Sequence, residues 1–160
     1  MVQEISRSAE GEFSVSEQRR GEATWSGSLT EGSGSVALAS SGAVDELPVT
    51  WASRSETAGG KTSPEELIAA AHAGCYAMAL SDELAGQGHA PDRLQVTAVS
   101  SFDKVGDDFR VTRMDLEVNG SVPGIDGPTF EKAAQAAKDG CPVSNALKNN
   151  VEITLKASLA

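Results

Sequence analysis

Cysteine, histidine and positive charge are all scarce in this chain of 160 residues. Two cysteines, Cys75 and Cys141, are too few for a disulfide scaffold and lack the paired short spacing of a zinc site. With only two histidines, His72 and His89, the ligand rules also argue against a metal centre. The chain carries 13 Lys and Arg against 23 Asp and Glu, a net charge of -10, and its one basic pair of note is Arg19-Arg20. A phosphate backbone needs clustered cations, so nucleic acid is excluded as a partner. No run is apolar and long enough to span a bilayer, and no charged-then-apolar leader opens the sequence, so a cytoplasmic chain without a membrane partner is expected.

What is present is ordinary globular material, 39% apolar and 22% charged, in an amount that suits one domain. Residues 1–20 are polar and weakly patterned, and are read as an N-terminal extension, a loose arm or edge strand; residues 21–160 are read as the domain. Glu22 to Thr30 and Ser35 to Ala39 read as strands around a Glu31-Gly32-Ser33-Gly34 turn, and the Gly-, Ser- and Thr-rich segment from Ser40 to Thr62 reads as a short strand followed by a loop. The strongest signal is Ser63-Pro64-Glu65-Glu66: an N-cap, a proline for the first helical position and two carboxylates for the first turn. The helix that starts there is apolar nearly all round to Leu84 and is expected to be buried. A hairpin over Arg93–Phe102 and Phe109–Val118, a helix from Pro128 to Asp139, a short helix from Pro142 to Leu147 and a strand from Val151 to Leu159 complete an α+β order. A chain of this length has little material to wrap such a helix, so a second copy is expected to cover it, as a homodimer.

The two cysteines have different settings. Cys141 stands between Gly140, a helix terminator, and Pro142, a first-turn residue, and so takes an N-cap-like position where the helix dipole favours a thiolate. The alternative is a small residue in a tight corner. Cys75 lies inside the long helix, where burial raises a thiol pKa, so a reactive Cys75 needs a cation. The candidates are His72, one turn earlier, and Arg54, in the loop that runs into the helix. Otherwise the pair is simply two small buried residues.

The block from Ser63 to Leu80 (SPEELIAAAHAGCYAMAL), with Val122-Pro123-Gly124-Ile125-Asp126 and Ala137 to Ser144 (AKDGCPVS), resembles the osmotically inducible protein C family, OsmC, and its relatives the organic hydroperoxide resistance proteins. The resemblance runs from about Gly21 to the carboxyl end. It implies a thiol peroxidase acting in oxidative and osmotic stress. It also implies an intertwined homodimer, with two long central buried helices flanked by curved antiparallel β-sheets. By resemblance, Cys75 is the peroxidatic cysteine, Cys141 the resolving one, and Arg54 and Glu65 the family's arginine and glutamate. Glu65 and Cys75 are ten residues apart, about 15 Å along one helix, so a Glu65 that serves the site comes from the partner subunit.

The implied chemistry needs no metal or flavin. Cys75 thiolate attacks an organic hydroperoxide, or more weakly hydrogen peroxide, and becomes a sulfenic acid; Cys141 closes a disulfide; and an external dithiol, of lipoyl type for example, reopens it. Apolar Leu67, Ile68 and Met78, where they line the approach, favour the organic substrate. The competing readings are a thiol redox sensor or binding dimer without turnover, and a dimer with inert cysteines.

Overall fold

The computed structural model describes residues 17–160, and of the expected N-terminal arm residues 1–16 lie outside these. Contacts divide the chain into two compact units, one up to Trp51 and one from Ala52 to Ala160. In the first, β1 (Glu22–Ser26), β2 (Ser33–Ala37) and β3 (Leu47–Val49) form an antiparallel sheet in the order β1-β2-β3. The expected meander is present, but β1 stops at Ser26 instead of Thr30 and β2 begins two residues early, so that Ser33 and Gly34, read as turn residues, lie in the strand. A five-residue helix α1 (Trp51–Ser55) stands where the sequence suggested the end of a strand and a loop. The division between the units falls within it.

The second unit is built around α2 (Pro64–Gly86). Its start is the predicted one: Ser63 is the extended N-cap, its hydroxyl accepts from the Glu66 N–H, and Pro64 opens the helix. At its end, Gly88 adopts a left-handed φ of 84°, and the N–H groups of Gly88 and His89 return to the carbonyls of Ala85 and Leu84. These two bonds satisfy carbonyls that a helix end leaves open.

The hairpin β4 (Arg93–Val105) and β5 (Asp108–Ser121) follows, turning through Gly106. The hydrophobic phase of β5 slips along its length, from Phe109 and Val111 to Met114, Leu116 and Val118. The register accounts for the slip: Ser101 pairs with Arg113 but Phe102 with Val111, leaving Thr112 as the extra residue of a bulge. Helices α3 (Gly127–Gly140) and α4 (Pro142–Leu147) lead to β6 (Glu152–Leu159), which pairs with β5. That pairing is parallel, so this sheet is mixed and the expectation of antiparallel sheets is corrected. The two helices supply the long crossover that parallel neighbours require.

The core lies between α2, the sheet and α3. Tyr76, Leu80 and Leu84 recur every four residues on one face of α2 and pack with Leu116, Val118, Phe130, Ala133 and Ala134. Full burial of each large apolar side chain stabilises by about 1.5–3 kcal/mol. The opposite face of α2, with Ala70, Ala71, Gly74 and Met78, is exposed within the single chain. Met78 is 69% exposed, so one chain covers only half of a helix whose composition suits burial all round.

Close approach fixes the identity of Gly120, on β5. A Cβ there would stand 2.6 Å from the ring of fully buried Phe130 and 3.2 Å from Leu94. Gly120→Ala is therefore expected to destabilise the fold by about 1–3 kcal/mol, read as a lowered urea midpoint at unchanged m-value.

Candidate active site

Cys75, mid-way along α2, and Cys141, the hinge residue between α3 and α4, meet in space. Their sulfurs are 3.3 Å apart, and both are free thiols. Local chain chemistry puts Cys141 there. α3 ends at Gly140, the Cys141 N–H returns to the Ala137 carbonyl, and Pro142 starts α4. Cys141 is fully buried, whereas Cys75 is partly open to solvent.

The start of α4 also supplies a donor. The first N–H groups of a helix have no partner within it, and that of Val143 donates to the Cys75 sulfur. Burial pushes the Cys75 thiol up; the Val143 N–H pulls it down; the adjacent Cys141 pushes it up again, and the balance is upward. This changes the meaning of the helix start. Cys141 makes no side-chain cap bond, and the free backbone donor serves Cys75 instead.

His72 does not provide the cation. It is fully buried, its pKa is lowered by burial, and its Nε2 lies 2.8 Å from Ser144 Oγ on α4. It is neutral at pH 7. Tyr76, the residue after Cys75, donates its hydroxyl to the Ala134 carbonyl at 3.1 Å. Burial, and then the nearby Cys141, push its pKa upward, so it remains a phenol.

Arg54 and Glu65 meet each other in a second cluster. Arg54 Nε lies 3.0 and 3.1 Å from the two Glu65 oxygens, and Nη2 lies 2.7 Å from Oε1. Glu65 is 8% exposed and Arg54 33%. The guanidinium also lies over the Phe102 ring, 4.3 Å from its centroid, and Phe102 stacks on Phe109 at 5.3 Å. The bulge at Thr112 brings Phe109 into phase for that stack. Arg54, Glu65, Ala69, Val99 and Phe102 line a cavity of about 430 Å³ at the start of α2. Ten helical residues, about 15 Å, separate this cluster from the thiols along α2.

The sequence-predicted residues thus form two pairs, thiol with thiol and arginine with glutamate. The sequence reading missed the Val143 N–H, Ser144 and Phe102. The first was legible, because a proline that opens a helix leaves the next N–H free; the other two depend on tertiary placement.

The family model for OsmC-like proteins matches residues 57–156, a span that holds Glu65, Cys75 and Cys141. The chain is 44% identical over 141 residues to peroxiredoxin OsmC of Escherichia coli strain K12, covering 88% of this chain and 96% of that protein. It is 28% identical over 102 residues to the organic hydroperoxide resistance protein of Xanthomonas axonopodis pv. citri, covering 61% of this chain and 67% of the relative. Among solved structures, the organic hydroperoxide resistance protein OhrB of Bacillus subtilis shares the fold with a TM-score of 0.68 at 24% identity, over 86% of this chain and 97% of that one.

Proposed function

The chain belongs to the OsmC-like protein family, and from that premise we propose that it is a cysteine-based hydroperoxide reductase serving oxidative stress defence in the cytoplasm. The observation that carries this reading is the pair of free thiols 3.3 Å apart, one partly open and one fully buried, with a backbone N–H on the sulfur of the open one. Cys75 thiolate attacks the terminal peroxide oxygen; the O–O bond breaks; the alkoxide leaving group takes a proton and departs as an alcohol; and Cys75 holds a sulfenic acid. Cys141 then attacks that sulfur and expels the oxygen as water, so that a Cys75–Cys141 disulfide remains. A dithiol reductant reopens it by exchange and leaves as its own disulfide. Each cycle reduces one hydroperoxide with two electrons from the dithiol.

An ionised Cys75 needs more than Val143, because burial outweighs that donor. Arg54 is the cation for the task, held in orientation by Glu65 and Phe102. Since both lie a helix-half away from Cys75 in one chain, the proposal includes a homodimer in which the partner subunit's Arg54 and Glu65 reach Cys75. The exposed stripe of Ala71, Gly74 and Met78, which flanks Cys75 on α2, supports a second copy packing there. Met78, one turn beyond Cys75, also gives the approach an apolar wall that suits an organic substrate.

Stopped-flow oxidation of reduced protein by cumene hydroperoxide and by hydrogen peroxide tests the proposal. The expected result is faster reaction with the organic peroxide, a disulfide between Cys75 and Cys141 by mass, and repeated turnover when dihydrolipoamide is supplied. Oxidation no faster than that of free cysteine would sink it, and a single oxidation without dithiol-driven turnover would favour a sensor.

A further inference from the structure

Three polar or charged side chains are buried in the described chain: Glu65, His72 and Ser144. Glu65 is accounted for by Arg54. The other two meet each other, His72 Nε2 to Ser144 Oγ at 2.8 Å, and His72 Nδ1 is buried with no hydrogen-bond partner. An orphaned buried nitrogen costs free energy that an apolar side chain of similar size would not, so packing alone does not account for a histidine here. The neutral tautomer that leaves a lone pair unpaired, and not an N–H, puts the proton on Nε2, which then donates to Ser144.

The position of this bond gives it a use. His72 precedes Cys75 by one turn of α2, and Ser144 lies in the first turn of α4, directly after Val143. That one turn of α4 therefore meets α2 three times: Cys141 Sγ and the Val143 N–H at Cys75, and Ser144 Oγ at His72. α4 has only six residues and just one that is buried, Ser144; its one side chain packed on the core, Val143, is only partly buried, so apolar packing alone holds this short helix lightly.

We propose that the His72–Ser144 hydrogen bond is a positioning latch that fixes the first turn of α4 against α2, keeping Cys141 Sγ and the Val143 N–H on the Cys75 sulfur. Disulfide closure takes the sulfurs from 3.3 Å to about 2.05 Å, a step that side-chain adjustment completes only while the corner holds its place. His72 touches neither sulfur in this role; it acts through α4. The inference rests on the dithiol reading above, but its test does not need peroxide.

The test uses full-length protein in a glutathione redox buffer, where two cysteine thiols and one glutathione disulfide exchange to one protein disulfide and two glutathiones. The equilibrium constant and the closure rate are both measured. His72→Leu and Ser144→Ala are each expected to lower the equilibrium constant about tenfold and to slow closure by about ten- to a hundredfold, the sensitivity that misplacing a reacting group carries. The double variant should lose no more than the worse single one, because both break the same bond. His72→Gln, whose amide nitrogen can stand where Nε2 stands, should restore most of both.

A His72→Leu protein that melts lower but keeps the wild-type constant and rate would overturn the latch and leave a structural histidine. A folded His72→Gln protein that restores neither would overturn it too. If His72→Leu does not fold, Ser144→Ala carries the same comparison with a smaller change. Wild-type protein that closes the disulfide but turns over no hydroperoxide would refute the peroxidase reading, and the latch would then stand or fall on the variants alone.

Discussion

Cys75→Ser is expected to consume no measurable hydroperoxide, a loss of roughly 10⁴-fold or more, as befits removal of a nucleophile that its neighbours cannot replace. Cys141 is not expected to take over, because it is fully buried while Cys75 is partly open. Cys141→Ser should behave differently. It should consume one equivalent of cumene hydroperoxide at a rate close to wild type and then stop, with Cys75 trapped as a sulfenic acid that dimedone labels or excess peroxide over-oxidises. A xylenol orange assay for residual peroxide, paired with intact mass, separates the two behaviours. Full turnover by Cys75→Ser would reverse the roles given to the two sulfurs.

Much of this could be read from the chain before its structure. The Ser63-Pro64-Glu65-Glu66 start of α2, the Gly140-Cys141-Pro142 hinge and the Gly106 turn are local devices, in which a cap, a missing N–H or a positive φ fixes the backbone whatever lies around it. The parallel sense of β6 is not local. An alternating pattern is the same for either direction, and only the length of the α3–α4 crossover hints at it. α1 escaped because five residues are too few for a helical period to emerge from a Ser- and Thr-rich segment. The bulge left a trace in the sequence, the change of hydrophobic phase between Val111 and Met114, and that trace points to the strand end where Phe109 supports Phe102.

The candidate site divides along the same line. Cys75 and Cys141 stood out by their immediate neighbours, yet their meeting is a tertiary fact. His72 looked like a cation because it shares a helix with Cys75; it is neutral because the fold buries it, which no spacing rule reports. Arg54 and Glu65 were named together, and what the sequence could not supply is the ring beneath the guanidinium. A planar cation held on one edge by a carboxylate and on one face by an aromatic ring has few ways to move, which is the property an activating arginine needs.

Arg54→Ala should slow Cys75 oxidation by roughly 10²–10³-fold, the usual scale for losing one preorganised charge donor, and should move the pH–rate profile to higher pH. The sign follows from the electrostatics. Burial already raises the Cys75 thiol, and removing the cation proposed to face it raises it further, so the thiolate that reacts is populated only at higher pH. A profile that stays in place would point to a different arginine. The larger consequence concerns geometry: Arg54 is bound to Glu65, which stands about 15 Å from Cys75 along α2 within one chain, so the proposed site takes the cation and the thiol from different protomers. Cys75→Ser protein keeps a sound Arg54, and Arg54→Ala protein keeps a sound Cys75; each alone should be nearly inactive. Dissociated together and reassembled, half of the dimers are mixed and one of the two sites in each is complete, so activity should return to about a quarter of wild type. Recovery of that size requires both a dimer and an arginine given in trans. If the reassembled mixture stays as inactive as its parents while wild type treated in the same way recovers, the partner subunit does not supply the cation, and Arg54 and Glu65 belong to the structure of the α2 start alone.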